Sequence, residues 1–329
     1  MLWIEKYRPV RFEEINGQEH AVRQLRLFSE ARIVPHLLVA GPPGSGKSAA
    51  VECLSRVLYG DSWEQNTTVI DAGTLFSVGK AYLEQDERYA HIYRKGESLI
   101  SNFKYIVKWF ASLRPLDTTF RLLVIEDASA LTREAQQALR RIMEQYSRTC
   151  RFVLCTTQPA GLIPPIASRC FPLFFVALPD EDVSARLRSI LAAEDVRCPP
   201  DTVEMIVQAS KGDLRKAVTL LQVVVSSREP VDLGQLSRSE TAMIASAAFG
   251  SLREGDSAQA SRRLESLMIE YGLSPQEVLV ELRRAIRREF NDPRIARILA
   301  DTDWRLSRSN NEYIQLNALA ARIIAEVFC

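Results

Sequence analysis

The chain is predicted to be an α/β protein: a parallel, helix-covered sheet in its first half, then two all-helical segments. Three observations carry this. Short apolar runs of strand length alternate with helical stretches as far as Val176; a glycine-rich loop joins one such run to a helix; and from Pro179 onward only helical periodicity remains. The sheet domain is assigned to residues 1–178, a small helical lid to 179–230, and a helical C-terminal domain to 231–329. In a parallel sheet of this kind the site is expected at the C-terminal ends of the strands.

At 329 residues and 47% hydrophobic, the sequence can bury two or three real cores. Its net charge of +1 excludes a chain that is basic throughout, so any nucleic-acid surface must be a local patch on this chain or on an assembly around it. The N-terminus, MLWIEKYRP, has charge where a secretory signal needs an apolar core, and the run Ala217 to Val225 is broken by Thr219 and Gln222. No membrane partner is expected, and the location is read as cytoplasmic, or nuclear in a eukaryote. Cys53, Cys150, Cys155, Cys170, Cys198 and Cys329 lack C-x-x-C spacing and nearby histidines. Buried free thiols are therefore expected, with neither a zinc site nor a disulfide framework.

In chain order, Ala21, Val22, Leu25 and Phe28 share one face of an amphipathic helix. Leu37 to Ala40 is a buried strand, followed by the loop Gly41-Pro42-Pro43-Gly44-Ser45-Gly46 and by Lys47-Ser48 opening a helix. This is the P-loop pattern G-x-x-x-x-G-K-[ST] in its required strand–loop–helix setting. The glycines let backbone N–H groups turn toward phosphate oxygens, the helix start adds its positive dipole end, Lys47 adds a full charge, and the Ser48 hydroxyl can ligate Mg²⁺. A glycine-rich turn that merely ends a strand is the plainer reading, and the satisfied flanks oppose it.

Val69 to Asp71 reads as a second strand, with Thr67 and Thr68 leading in. From Gly79 to Ser101 the text is polar and mixed in charge, an excursion from the core, before a helix carrying Tyr105, Ile106, Trp109 and Phe110. Phe120 to Asp127 is a buried strand ending in two acids, Glu126 and Asp127. The helix Thr132 to Gln145 follows, then strands Phe152 to Thr156 and Phe171 to Val176 around a turn at Pro164-Pro165. In the lid, Asp180 is expected as an N-cap, and Gly212-Asp213 separates two helices, with Asp213 expected as the N-cap of the second. Ser226 to Pro230 is a polar linker. Beyond it, Leu264, Leu267, Met268 and Tyr271 form one stripe, Ser274 to Glu277 a capping box with proline at N1, and Leu316, Leu319, Ile323 and Val327 a final apolar face. Such faces are read as core ahead of an oligomer contact.

Several separated stretches together resemble the small subunits of replication factor C, the sliding-clamp loader. They are WIEKYRP at Trp3 to Pro9, GPPGSGKS at Gly41 to Ser48, ALTREAQQALRRIME at Ala130 to Glu144, IASRC at Ile166 to Cys170, GDLRKA at Gly212 to Ala217, YGLSPQEV, and DTDWRLSRSNNEYIQLNALAA. The resemblance spans almost the whole chain, is greatest to the archaeal type, and extends to the divergent second small subunit found beside a conventional one. It implies an AAA+ ATPase module, a helical lid, and a collar by which large and small subunits form a five-membered arc that opens a ring-shaped, PCNA-type clamp and closes it on primer–template DNA. ATP and Mg²⁺ are the implied cofactors. By position, Tyr7 and Arg8 match the box over the adenine, Arg169 the arginine finger that enters the neighbouring subunit's site, and Arg215 the lid arginine that senses the γ-phosphate. Arg140 and Arg141 match a pair linking site, interface and DNA, with a solvated charged face as the alternative.

The chain departs from the family at the strand end. Where the family has D-E-A-D, this sequence has Glu126-Asp127-Ala128-Ser129. The first acid of the family organises Mg²⁺ and the second polarises the attacking water. Here Glu126 reaches about one bond farther toward the metal, and Asp127 falls short of the water by about 1.5 Å. A misplacement of about 1 Å can cost on the order of 10²-fold, so the subunit is expected to bind ATP and hydrolyse it poorly. Thr157 replaces the sensor asparagine with a shorter side chain. The segment after Asp71 has no counterpart. Its Arg88, Arg94 and Lys95, interleaved with Tyr89 and Tyr93, either meet a nucleic-acid backbone or belong to a solvated loop. Trp109 and Phe110 lie where family members touch the clamp, with core packing as the alternative. Two rival readings remain: a nucleotide-binding scaffold subunit without useful turnover that supplies Arg169 in trans, and an autonomous AAA+ DNA motor.

Overall fold

The computed structural model describes residues 1–115, 118–227, 240–290, 292–309 and 311–328, which form two compact units, residues 1–230 and 231–329. Most of the expected linker, from residue 228 on, and Cys329 lie outside the described residues. The N-terminal unit starts with a short helix α1 (Trp3–Lys6) and the amphipathic α2 (Glu19–Glu30). Strand β1 (Leu37–Ala40) leads through the glycine-rich loop into α3 (Lys47–Tyr59). After α4 (Trp63–Asn66) and β2 (Thr67–Asp71) come α5 (Ala72–Val78), α6 (Lys80–Gln85), α7 (Glu87–Ala90) and α8 (Leu99–Ser112). Strand β3 (Arg121–Glu126), α9 (Arg133–Gln145), β4 (Cys150–Thr156), α10 (Pro164–Ala167) and β5 (Phe171–Phe174) complete the sheet region.

The five strands are all parallel, in the order β2-β3-β4-β1-β5. Parallel strands need crossovers, and the crossover helices cover both faces, which is why the inner strands read as unbroken apolar runs. Alternate side chains feed two separate cores. Leu38, Leu123, Ile125 and Leu154 join one with α5, α8 and α9, whereas Leu37, Val39, Leu122, Val124 and Val153 join the other with α2 and α3. Ala21, Val22 and Leu25 are buried in the second core, as their periodicity predicts, with Phe28 packed at its edge.

The polar excursion is a correction to the sequence reading. Residues 80–90 form α6 and α7, and Tyr89 is 1% exposed inside the first core, so it has no face to offer a base. Arg88 is ion-paired to Asp86 at 2.6 Å, and Arg94 lies over the Tyr105 ring at 3.6 Å. The apolar residues hidden in this charged text, Leu83, Tyr89 and Ile92, are enough to pin the excursion to the sheet. Trp109 and Phe110 are half-buried and pack against that core, with rings 4.9 Å apart.

The remainder of this unit is α11 (Asp180–Ala193), α12 (Pro200–Ser210) and α13 (Leu214–Ser226). Asp180 is the first helical residue and not the cap; Pro179, extended at φ −57° and ψ 149°, takes the cap position. Asp180, Glu181 and Asp182 then sit in the first turn, where the helix dipole favours acids. Asp213 does cap α13, accepting from the Lys216 N–H at 3.0 Å.

Among the described residues, the C-terminal unit contains α14 (Glu240–Arg253), α15 (Ser257–Ile269), α16 (Pro275–Glu289), α17 (Pro293–Leu306) and α18 (Glu312–Ile323), closed by a π-turn over Ile324–Phe328. The Ser274–Glu277 capping box forms in both directions. Leu264, Leu267, Leu316, Leu319 and Ile323 are buried in one core, with Met268, Tyr271 and Val327 against it, so these stripes are core.

His36, just before β1, accepts the Phe152 N–H on Nδ1 at 3.1 Å, and burial pushes its pKa down to about 4. Its pKa lies below the unfolded value, so the unfolded chain binds the extra proton; this stability is complete above about pH 6.5 and drains as pH falls toward 4. With allowance for partial solvent screening, about 1–2 kcal/mol of it is expected to be gone by pH 5. Denaturant unfolding of wild type and H36Q at pH 7.5 and pH 5 checks this. The pH-dependent loss should be smaller in H36Q.

Candidate functional site

A cavity of about 420 Å³ opens where the glycine loop meets the start of α3, the first residues of the chain, and α11 and α13. Trp3, Tyr7, Arg8, Gly44, Gly46, Lys47, Ser48, Arg186 and Arg215 line it. The loop can adopt its shape only because two positions lack side chains. Gly46, with φ +94°, immediately precedes α3. Gly44, with φ +66°, lies so close to α13 that a Cβ there would be 1.8 Å from Asp213 Oδ1. The Leu214 N–H donates to the Gly44 carbonyl at 3.3 Å, which ties the loop to the start of the helix carrying Arg215.

Lys47 folds over the loop and donates from Nζ to the Gly41 and Pro42 carbonyls at 2.9 and 2.7 Å. Burial lowers its pKa, and the nearby Glu126 carboxylate opposes that shift. Ser45 is buried and donates to the Pro42 carbonyl, so its role is to hold the loop. Pro43 is exposed at the loop's tip, and Ser48 faces the cavity.

The two acids part company. Glu126, the last residue of β3, lies beside Cys155 of β4 and acts electrostatically on Lys47, hence toward the P-loop. Burial first, then this carboxylate, drives the Cys155 thiol well above its ordinary pKa. Asp127 has a left-handed backbone, φ 47° and ψ 49°, uncommon for a residue other than glycine. Its Oδ1 accepts from Ser129 Oγ at 3.1 Å, and its Oδ2 lies 2.7 Å from where a Cβ on Gly73 would stand. Gly73 follows β2, on the side of β3 opposite to β4 and β1. Thr157 is exposed just past β4, while the preceding Thr156 is buried and accepts the Gln158 N–H at 2.9 Å.

Of the residues expected from sequence, the fold brings Tyr7, Arg8, Gly44, Gly46, Lys47, Ser48 and Arg215 around one cavity, while Gly41, Pro42 and Ser45 of the same loop do not line it. Glu126 lies outside the lining and acts on it through the charge of Lys47. Arg169 lies apart from the cavity, after α10, where it pairs with Glu144 and with the Pro165 carbonyl. Two expected side chains are already engaged: the Tyr7 hydroxyl donates to Glu194 at 2.8 Å, and Arg8 Nε donates to Glu52 at 2.8 Å.

Sequence reasoning missed the residues that fasten this N-terminal segment. Arg186 donates to the Tyr7 carbonyl at 2.7 Å, Lys6 pairs with Glu194 at 2.8 Å, and Gln222 accepts the Trp3 N–H at 2.8 Å. These hydrogen bonds hold the Glu194 carboxyl below and the Lys6 ammonium above their ordinary pKa values. No local pattern marks these partners, because each lies about 180 or more residues from the group it holds.

Known proteins similar to this chain point to one family. Residues 17–179 match the family described as DNA polymerase III, delta subunit, and residues 243–322 match the replication factor C C-terminal domain. The replication factor C small subunit of Archaeoglobus fulgidus is 34% identical, with 97% of this chain and 96% of that protein covered. That of Thermofilum pendens is 35% identical over 98% and 96%. Among solved structures, a RuvB variant from Thermotoga maritima superposes with a TM-score of 0.54 at 19% identity, over 86% of this chain and 91% of that one. At that identity it speaks for the fold alone. With one third of its residues shared with these relatives across nearly its full length, the chain belongs to the replication factor C small subunits, within the AAA+ clamp-loader family.

Proposed function

We propose that this clamp-loader small subunit binds ATP with Mg²⁺ in the cavity between P-loop and lid, hydrolyses it poorly, and lends Arg169 to the adjacent subunit of its arc. The fit of nucleotide to the residues present rests on the cradle: two glycines with positive φ, the start of α3, Lys47, and Arg215 at the cavity wall. Ser48 and Glu126 would hold the metal, which supplies charge neutralisation at the phosphates. Tyr7 and Arg8 would flank the base. Lys47 would exchange its loop carbonyls for phosphate oxygens, a stronger acceptor set.

The observation that carries poor turnover is the divergence of the two acids. Glu126 acts on the charge of Lys47, whereas Asp127 is turned onto Gly73 and held by Ser129. A water at the phosphates would then lack a carboxylate positioned to polarise it, and Thr157 has less reach than an amide. Assembly into an arc with a large subunit and other small subunits, the C-terminal unit serving as collar, and action on a PCNA-type clamp and primer–template DNA complete the reading.

Restoring the family's order with E126D and D127E together should raise single-turnover ATP cleavage at this subunit by on the order of 10- to 10²-fold, with nucleotide affinity nearly unchanged. Wild-type cleavage already as fast as that of a D-E-A-D subunit would refute the slow-turnover reading. No cleavage at all would make the chain a nucleotide-binding scaffold. Separately, K47A is expected to weaken ATP binding at least about 10-fold, since one charge-assisted contact to phosphate is worth roughly 1.5–3 kcal/mol; equilibrium titration with a fluorescent ATP analogue reads this.

A further inference from the structure

Arg169 is expected to act outside its own chain, yet contacts within the chain already fix where its guanidinium lies. It leaves the turn after α10, donates from Nη1 to the Pro165 carbonyl at 2.6 Å, and donates from Nη2 to the Glu144 carboxylate in the last turn of α9. The same carboxylate oxygen lies 3.9 Å from Arg140 Nε, one helical turn earlier, and that Nε is buried without a hydrogen-bond partner. Two guanidinium groups thus converge on a single carboxylate, which leaves the cluster with one positive charge in excess. The Arg169 and Glu144 side chains are 35% and 45% exposed, so the pair stays open to an incoming group.

An unrestrained arginine spreads over many rotamers and loses that freedom on docking. We propose that Glu144 is a positioning residue: it holds the Arg169 guanidinium in the pose that meets the neighbouring subunit's triphosphate, so that the ordering is done before the subunits meet. This inference rests on the trans role proposed for Arg169. The two internal contacts occupy two of the five N–H donors of a guanidinium, and the other three stay available to phosphate oxygens. Because the pair is solvated, Glu144 orients the group without cancelling its charge as a dry carboxylate does.

The test uses the complete complex, with single-turnover ATP cleavage read at the neighbouring site, and assembly and this chain's own nucleotide affinity measured alongside. R169A should slow that cleavage by on the order of 10³-fold, and E144A by about 10-fold. E144D, which withdraws the carboxylate by about 1.5 Å, should slow it as E144A does, while E144Q keeps an acceptor oxygen and should stay within about 3-fold of wild type. The double variant R169A/E144A should be no slower than R169A, a non-additivity that a purely structural role does not produce. The chain's own nucleotide affinity should be the same in every variant. Unchanged or faster cleavage in E144A and E144D, or losses that multiply in the double variant, would overturn the positioning role while leaving the trans role standing. If R169A itself leaves the neighbour's rate unchanged, the trans role fails, and this inference with it.

Discussion

The close approach of Asp213 to Gly44 governs the arrangement of the nucleotide-binding half. At this point α13 rests on the glycine-rich loop with no room for a Cβ, and the Leu214 N–H bonds to the loop backbone. Asp213 is at the same time the cap of α13, so the residue that starts the helix also presses it onto the loop. Arg215, two positions on, is carried to the cavity wall as a consequence. Loop shape, helix start and cationic side chain are therefore set by one contact between backbone and cap.

The N-terminal segment adds a second tie between the same parts. Trp3 to Arg8 bonds to α13 through Gln222, to α11 through Arg186 and Glu194, and to α3 through Glu52. Each bond is partly solvated and modest singly, but together they hold the N-terminal segment against the cavity it lines. Any displacement of α11 or α13 must strain this strap or shift it, which makes Tyr7 and Arg8 sensitive to where those helices lie.

Inside the sheet, strand order explains why two adjacent acids end up with different surroundings. β3 lies between β2 and β4 and ends at Glu126, whereas Asp127 stands beyond the strand with a left-handed backbone. Glu126 stands beside Cys155 and acts electrostatically on the P-loop lysine, while the left-handed turn at Asp127 carries the next carboxylate toward Gly73. A reversal of two letters in the sequence is thus also a reversal of which carboxylate length stands at the strand end and which in the turn after it.

Legibility in the sequence followed the range of the interaction. The strands, α2, the P-loop with its helix, the Asp213 cap, the Ser274–Glu277 box and the apolar stripes of the C-terminal unit were all readable, because periodicity, capping and glycine requirements act within a few residues. The segment around Tyr89 was misread as a solvated excursion, since its many charges concealed three apolar residues that reach the core. Equally invisible were the partners that seat Tyr7, Arg8 and Arg169. Local spacing alone determined a P-loop α/β fold with helical segments behind it, and the candidate side chains; only folding decided what each of them faces, because a side chain's environment is assembled from strands and helices whose nearness in space leaves no trace in their spacing along the chain.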